Sequence, residues 1–533
     1  MIGRLINGRL IHSRLINGVT LGAVLLGSTA LSDGALARTP VSQSVVVPLP
    51  PVPTGNAPRQ ILDKPLGPPD AGTQMIHPGM AVVPDWWQGF GSPALNDLVA
   101  RALAANTDIA VAKARLAQAQ AQVGVVRGGL LPQVDAGLTS ERQRLSRTLS
   151  TPLTNPYPQV FSLHTAQVSV SYSPDLFGGS AARLRSAKAA AAVAQAQEQA
   201  IRNLVAGQVV LAVIQDAAYN AEIAATRDAI DSNLQVLALL HQREKLGAVG
   251  HADVAAQTAA IAAIEGALPP LMRQRGANLA ALSVLLGLAP GSPIEKLPGL
   301  DDFALPGDLP LTMPADLLTT RPDVAGAAAA LEGAAADVKV AMVARLPQIN
   351  LSASFGGIAE DFSRMFSSGN PFWTLIGGIA APVFHGGALK RQQESAEHAL
   401  EAAKASYKGT ALQAFADVSN ALTALSTDAT ALGIAERGND AASQSLTFAR
   451  RQLELGGVGT LAVLNASATA QTARAQLVAA RAARLSDTVG LFTALGGGLR
   501  QPATPDRGQA DAAGGVPLPP PLSNEQPVDL PGH

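Results

Sequence analysis

The chain has 533 residues, but aromatics make up only 4% and charged residues 15%, a composition suited to slim, closely packed helices rather than several thick globular cores. A formal net charge of −1 offers no electrostatic footprint for nucleic acid. The absence of cysteine excludes disulfides, thiolate metal sites, Cys nucleophiles and an acylated N-terminal cysteine.

In chain order, Arg4, Arg9 and Arg14 form a basic start, residues 19–31 an apolar run, and Ala35-Leu36-Ala37 a small-x-small site. That pattern predicts an export signal over 1–37, because the apolar run is shorter than a spanning helix requires. Residues 38–84 are proline-rich and predict an extended linker, and the folded part is expected to begin at Asp85-Trp86-Trp87. A helix is expected over 95–127, stopped by Gly128-Gly129. No later stretch reads as a transmembrane helix, since even residues 203–218 carry Gln208, Gln215 and Asp216.

Two segments of period two follow. Val134, Ala136 and Leu138 alternate with Asp135, Gly137 and Thr139, and Ala166, Val168, Val170 and Tyr172 alternate with Thr165, Gln167, Ser169 and Ser171. Residues 179–246 then contain no proline and are dominated by helix formers, which predicts one helix about 100 Å long. Gly247-Ala248-Val249-Gly250 turns the chain, and a return helix is expected over 252–286, kinked at Pro269-Pro270. Residues 289–313 carry five prolines and read as a connecting segment between 85–288 and 314–500.

The second half repeats the first. Asp108 and Pro132 match Asp323 and Pro347 at one spacing; Gly247, Gly250 and Gly287 match Gly456, Gly459 and Gly496 at a slightly shorter one. Tandem duplication accounts for this, the first copy having the longer loop between its strands. Pro322 implies a helix restart after Arg321. Two more alternating segments follow at 348–355 and 372–381, then a proline-free helix over 387–455 and a return over 461–495. Heptad spacings such as Phe415 to Leu422 and Val418 to Leu425 favour coiled-coil packing. The tail, 501–533, is rich in proline, glycine and acid and is expected to be disordered.

Each alternating segment is long enough for a tilted strand to cross a bilayer. Four strands cannot close a barrel, and an open edge cannot face lipid, so membrane insertion requires several chains to pool their strands. Two chains would supply eight strands, and three would supply twelve with room for a passage.

These residues resemble the TolC-type outer membrane factor family, in particular its branch serving resistance-nodulation-division (RND) efflux pumps. The resemblance rests on Trp86-Trp87-Gln88-Gly89-Phe90-Gly91-Ser92-Pro93, on Leu317-Leu318-Thr319-Thr320-Arg321-Pro322-Asp323-Val324, and on the turns Asp175-Leu176-Phe177-Gly178-Gly179 and Pro382-Val383-Phe384-His385-Gly386-Gly387. It implies a mainly helical chain with a transmembrane β portion: a homotrimer whose twelve-stranded outer-membrane barrel continues into a periplasmic α-barrel. It also implies a passive duct for small molecules or drugs, completed by a periplasmic adaptor and an inner-membrane RND pump, with no cofactor. Without a lipidated cysteine, anchoring would rest on the barrel among the outer membrane lipids.

At the periplasmic tip the family often narrows the pore with a leucine and, one turn later, an aspartate. Leu461 occupies the first position here, but Asn465 replaces the acid, and the first-half equivalents are Ala252 and Ala256. Asp253, one residue off, is the alternative source of charge. By the same resemblance, the turns bearing Gly247, Gly250, Gly456 and Gly459 are candidate adaptor docks, although glycines there also simply reverse the chain. Arg321, Pro322 and Asp323 read as a structural motif, an ion pair or cap.

No nucleophile–base pair or metal-ligand spacing stands out, which speaks against a secreted enzyme. The exit duct of a type I protein secretion system would share the architecture, and a coiled-coil surface protein would leave the duplication and the alternating segments without a purpose.

Overall fold

The computed structural model describes residues 74–144, 160–311 and 320–498. The expected signal, most of the proline-rich linker, residues 317–319 of the family motif and the tail lie outside the described residues.

Helices α1 (Pro93–Ala105) and α2 (Thr107–Gly128) replace the single helix expected over 95–127. Asn106 makes the break: its Oδ1 accepts from the Asp108 and Ile109 amides at 2.9 and 3.2 Å, and its Nδ2 donates to the Leu285 carbonyl at 3.0 Å. An asparagine that can cap a new helix and also satisfy the end of another outweighs the modest gain from helix continuity.

Strands β2 (Gln133–Arg144) and β3 (Val160–Tyr172) lead into α3 (Gly179–Lys245). The return is split into α4 (His251–Glu265) and α5 (Leu268–Leu285), and the prolines fall at the start of α5, where a missing amide costs least. The second half runs α6 (Pro322–Val343), β5 (Gln348–Ala359), β6 (Pro371–Ala380), α7 (Ala388–Glu454) and α8 (Thr460–Ala494), with the restart after Arg321 in place. At 67 residues each, α3 and α7 extend about 100 Å.

Two further strands depart from the sequence reading. Within the segments expected as linker and connector, β1 (Met75–Pro78) pairs in parallel with β4 (Asp308–Leu311). Gln74, fully buried, joins this ribbon to α8 by donating to the Pro306 carbonyl at 3.0 Å and to Thr488 Oγ1 at 3.4 Å. Structure therefore begins before Asp85.

The main core lies part-way along the long helices. Trp86 stacks on Phe492 with centroids 5.2 Å apart and meets Trp87 and Phe90 edge-on. Around them pack Leu95 and Leu98 of α1, Val205 to Ala218 of α3 and Leu485 to Leu495 of α8. A smaller cluster, Val236, Leu240, Leu453 and Val463, lies near the turns. By length and mean hydropathy, α3 and the His251–Leu285 stretch do pass for bilayer-crossing helices, contrary to the sequence reading. In α3, however, the apolar residues serve the core, and the second stretch is broken at Gly266.

Buried charge is paired across helices. Asp216, 1% exposed, accepts from Arg275 Nε at 2.9 Å and Nη2 at 3.4 Å, which ties α3 to α5. Arg484 of α8 donates to the Leu425 carbonyl of α7.

Beside it, partial burial and a hydrogen bond with Asp428 push the Asp487 carboxyl up from 3.8 to about 6, against the pull of Arg484. A carboxyl raised by folding contributes stability below its unfolded value, and that contribution is lost as pH rises through the folded value. Melting temperature should therefore fall as pH climbs from about 4 to about 6. Asp487→Asn should flatten that fall and raise the melting temperature at neutral pH; an unchanged slope would assign the titration elsewhere.

Candidate functional site

The four longer strands form one antiparallel sheet in the order β2-β3-β5-β6, so one edge of β2 and one edge of β6 carry no partner among the described residues. Register sorts the side chains. Pairings Ala136↔Val168, Val168↔Phe355 and Phe355↔Trp373 put these four residues in one row, and Val134↔Val170, Val170↔Ala353 and Ala353↔Leu375 make the next. Leu138, Ala166, Leu351, Tyr172 and Ile379 share that face. The other face carries Asp135, Thr139, Gln167, Ser169, Ser171, Asn350, Ser352, Ser354 and Thr374, with Phe161, Leu163, Ile358, Phe372 and Ile376 as its apolar members.

The apolar face is open: Val134, Leu138, Phe355, Trp373, Leu375 and Ile379 are all exposed. A soluble sandwich would cover such a face with a second layer. Here the 12 residues of β2, at about 3.3 Å each and tilted about 40°, rise about 30 Å, the thickness of a bilayer core.

The opposite end of the long helices holds the two turns. Gly247 and Gly456 have φ of 71° and 78°, the left-handed geometry that closes a helix. Gly247 N donates to the Glu244 carbonyl and Ala248 N to that of Arg243; Gly456 N and Gly457 N reach those of Leu453 and Gln452. Gly250 and Gly459 differ. They sit at the N-caps of α4 and α8 with φ of −92° and −84°, and a Cβ there would meet nothing within 4 Å. Neither backbone geometry nor internal packing calls for glycine at these two positions.

A hydrogen-bond network that the sequence reading missed binds the two turns. Arg243 Nη2 donates to the Leu453 and Glu454 carbonyls at 2.6 and 3.0 Å, so the end of α3 caps the end of α7. Glu244 pairs with His251 and, at 3.3 Å, with His241. The His241 hydrogen bond holds the Glu244 carboxyl below the usual carboxylate range; desolvation opposes it, and the charge of His251 adds to it. A basic residue in a last helical turn is a legible cap signal, but which helix it caps is decided only in three dimensions. Further in, buried Gln257 of α4 donates to the Asn233 carbonyl and Oδ1 at 3.1 and 3.0 Å, and Asn233 of α3 donates to Ser467 of α8 at 3.0 Å.

The candidate constriction residues separate into two kinds. Leu461 and Asn465 are both exposed, one turn apart on α8. Asp253 is half-buried, and its Oδ2 accepts from the Gly250 amide at 3.4 Å, closing the start of α4. Arg321 is buried far from the turns. Its Nε and Nη2 donate to Asp323 at 3.0 and 2.7 Å, Nη2 also to Asp417 at 3.0 Å, and Nη1 to the Ala494 carbonyl at 2.8 Å. Although burial opposes it, the Arg321 guanidinium lowers the Asp323 carboxyl, helped by the Val324 amide. Pro322, also buried, opens α6. The motif thus fastens the start of α6 to α7 and to the end of α8.

Residues 98–288 and 313–497, the two halves of the repeat, match the family model described as outer membrane efflux protein. The pyoverdine export outer membrane protein OpmQ of Pseudomonas putida is 31% identical over 439 residues, covering 81% of this chain and 92% of its own. Among solved structures, the outer membrane protein VceC of Vibrio cholerae is 25% identical with a TM-score of 0.72, covering 79% of this chain and 100% of its own. The outer-membrane channel OprN, 24% identical, shares the fold with a TM-score of 0.75 over 82% of this chain and 97% of its own. The chain belongs to the outer membrane efflux protein family and is the outer membrane channel component of an efflux system.

Proposed function

We propose that three copies of this chain close one barrel, the free edge of β2 on each pairing with the free edge of β6 on the next. The observation that carries this reading is the four-stranded sheet itself, with two edges unpaired among the described residues and one exposed face whose central rows are apolar. In lipid every backbone amide and carbonyl needs a partner, and twelve strands leave a lumen where eight would be filled by side chains. The polar face then lines the passage. The proline-free helices α3 and α7 carry the conduit across the periplasm, and the passage is passive.

At the turns, the same reading assigns docking to a periplasmic adaptor, which joins the duct to an RND pump in the inner membrane. Gly250 and Gly459 support it, because bare backbone in open space is where another chain can approach closely. Leu461 and Asn465 form the constriction of the resting duct, three of each in the trimer. Asp253 is engaged at the start of α4, and Asn465 itself brings no charge to the ring. Small molecules are the cargo, and selection among them lies with the pump.

Three measurements check these assignments. Of the three tryptophans, Trp86 and Trp87 are 3% and 7% exposed while Trp373 is 76% exposed on the apolar face. Reconstituted into vesicles with brominated acyl chains, the protein should lose most of its lipid-quenched fluorescence on Trp373→Phe; an unquenched Trp373 would rule out the outward orientation. Gly250→Asn with Gly459→Asn keeps good N-cap residues. The double variant should insert and trimerise normally yet leave cells as drug-sensitive as a deletion strain, and normal efflux would refute docking there. In planar bilayers, Asn465→Asp adds three negative charges and should move the reversal potential toward cation selectivity; an unmoved potential removes Asn465 from the constriction.

A further inference from the structure

The connection between β5 and β6 does not extend beyond the strands; it folds back onto one face of the sheet. A 3-10 turn at Phe362–Arg364 starts it, and the Arg364 carbonyl then accepts from the Ser367 amide, Ser367 Oγ and Asn370 Nδ2 at 2.9, 2.6 and 2.7 Å. Ile358 N closes the loop onto the Asn370 carbonyl at 3.1 Å.

Two contacts identify the face. The Phe362 ring meets His164 edge-on with centroids 6.1 Å apart, and Met365, 1% exposed, lies against Gly357 so closely that no Cβ would fit there. Through the pairings His164↔Ala359 and Ala166↔Gly357, His164 and Gly357 stand on the face that carries Val168, Phe355 and Trp373. The loop therefore covers the apolar side and leaves the polar side open. Phe362 and Phe366 are nonetheless 62% and 66% exposed.

Along β2 this same face changes chemistry. Val134, Ala136 and Leu138 give way to Ser140, Arg142 and Arg144 at the end away from the helices. Arg142 and Arg144 are exposed, as is Arg364, whose Nε is 3.8 Å from Asp361. Glu360 and Asp361 are the carboxylates beside the loop, and Glu141 stands on the opposite face. From Val134 the tilted strand rises about 20 Å to Arg142 and about 25 Å to Arg144, so the cations come at the upper edge of an apolar band about 25 Å tall.

We propose that this collar binds phosphate-bearing lipids of the outer leaflet: Phe362 and Phe366 enter the acyl layer, and Arg142, Arg144 and Arg364 meet headgroup phosphates. The occupant follows from continuity with the bilayer-facing surface and from charge complementarity at its rim. The inference rests on the reading that the sheet closes within the outer membrane with its apolar face outward.

The test uses the full chain, purified in detergent and stripped of lipid, then titrated with diphosphorylated lipid A or with phosphatidylcholine, bound lipid being counted by native mass spectrometry. Arg142→Gln, Arg144→Gln and Arg364→Gln together should weaken lipid A binding by about fivefold per arginine and leave phosphatidylcholine unchanged. Phe362→Ser with Phe366→Ser should weaken both. Lipid A binding that survives the arginine substitutions, or inorganic phosphate binding as tightly as lipid A, would overturn the collar. Trp373 quenching in brominated vesicles, measured on the same variants, separates that failure from a failure of the barrel reading.

Discussion

The unmet hydrogen-bonding capacity at two strand edges governs this structure. A sheet of four strands with an apolar face must be covered in water or closed in lipid, and one chain supplies neither solution. Duplication supplies two hairpins, β2-β3 and β5-β6, and the β3-β5 pairing joins them into one surface. The edges then fall at the outermost strands of the two repeats, β2 and β6, which is where like copies can meet.

The helical part solves a different problem, which is holding very long helices in register with little aromatic core. Small residues along α3 and α7 allow close approach, and the Trp86–Phe492 cluster concentrates the large side chains at one level. Arg321 works at that level through four hydrogen bonds spread over three helices. Near the turns the hold becomes polar, with Arg243 capping α7 and Gln257 bridging to Asn233.

Much of the site was legible because its signals are local or periodic. Alternation located all four strands, although it stopped β2 at Thr139 and began β3 at Thr165, the lack of proline marked α7 and its partner, and matched glycines exposed the repeat. The break at Asn106 was hidden because the asparagine's second partner, the Leu285 carbonyl, is distant in sequence. The β1–β4 ribbon was hidden for the same reason: proline-rich segments look featureless until one is seen to pair with the other. Asp253 was legible as a charge near the tip, but not that it accepts from the Gly250 amide at the start of α4.

By itself the sequence determined the element types, their lengths, the duplication and which residues alternate, since helix and strand periods are written in the order of side chains. Only the tertiary structure decided the register of the four strands, which puts most of their alternating apolar residues on one face and lets the β5–β6 loop fold over its end. It alone decided that Arg243 serves another helix and that Arg321 reaches Asp417 and Ala494. The physical reason is that patterns record what each segment prefers, while a hydrogen bond between distant segments depends on where packing brings them.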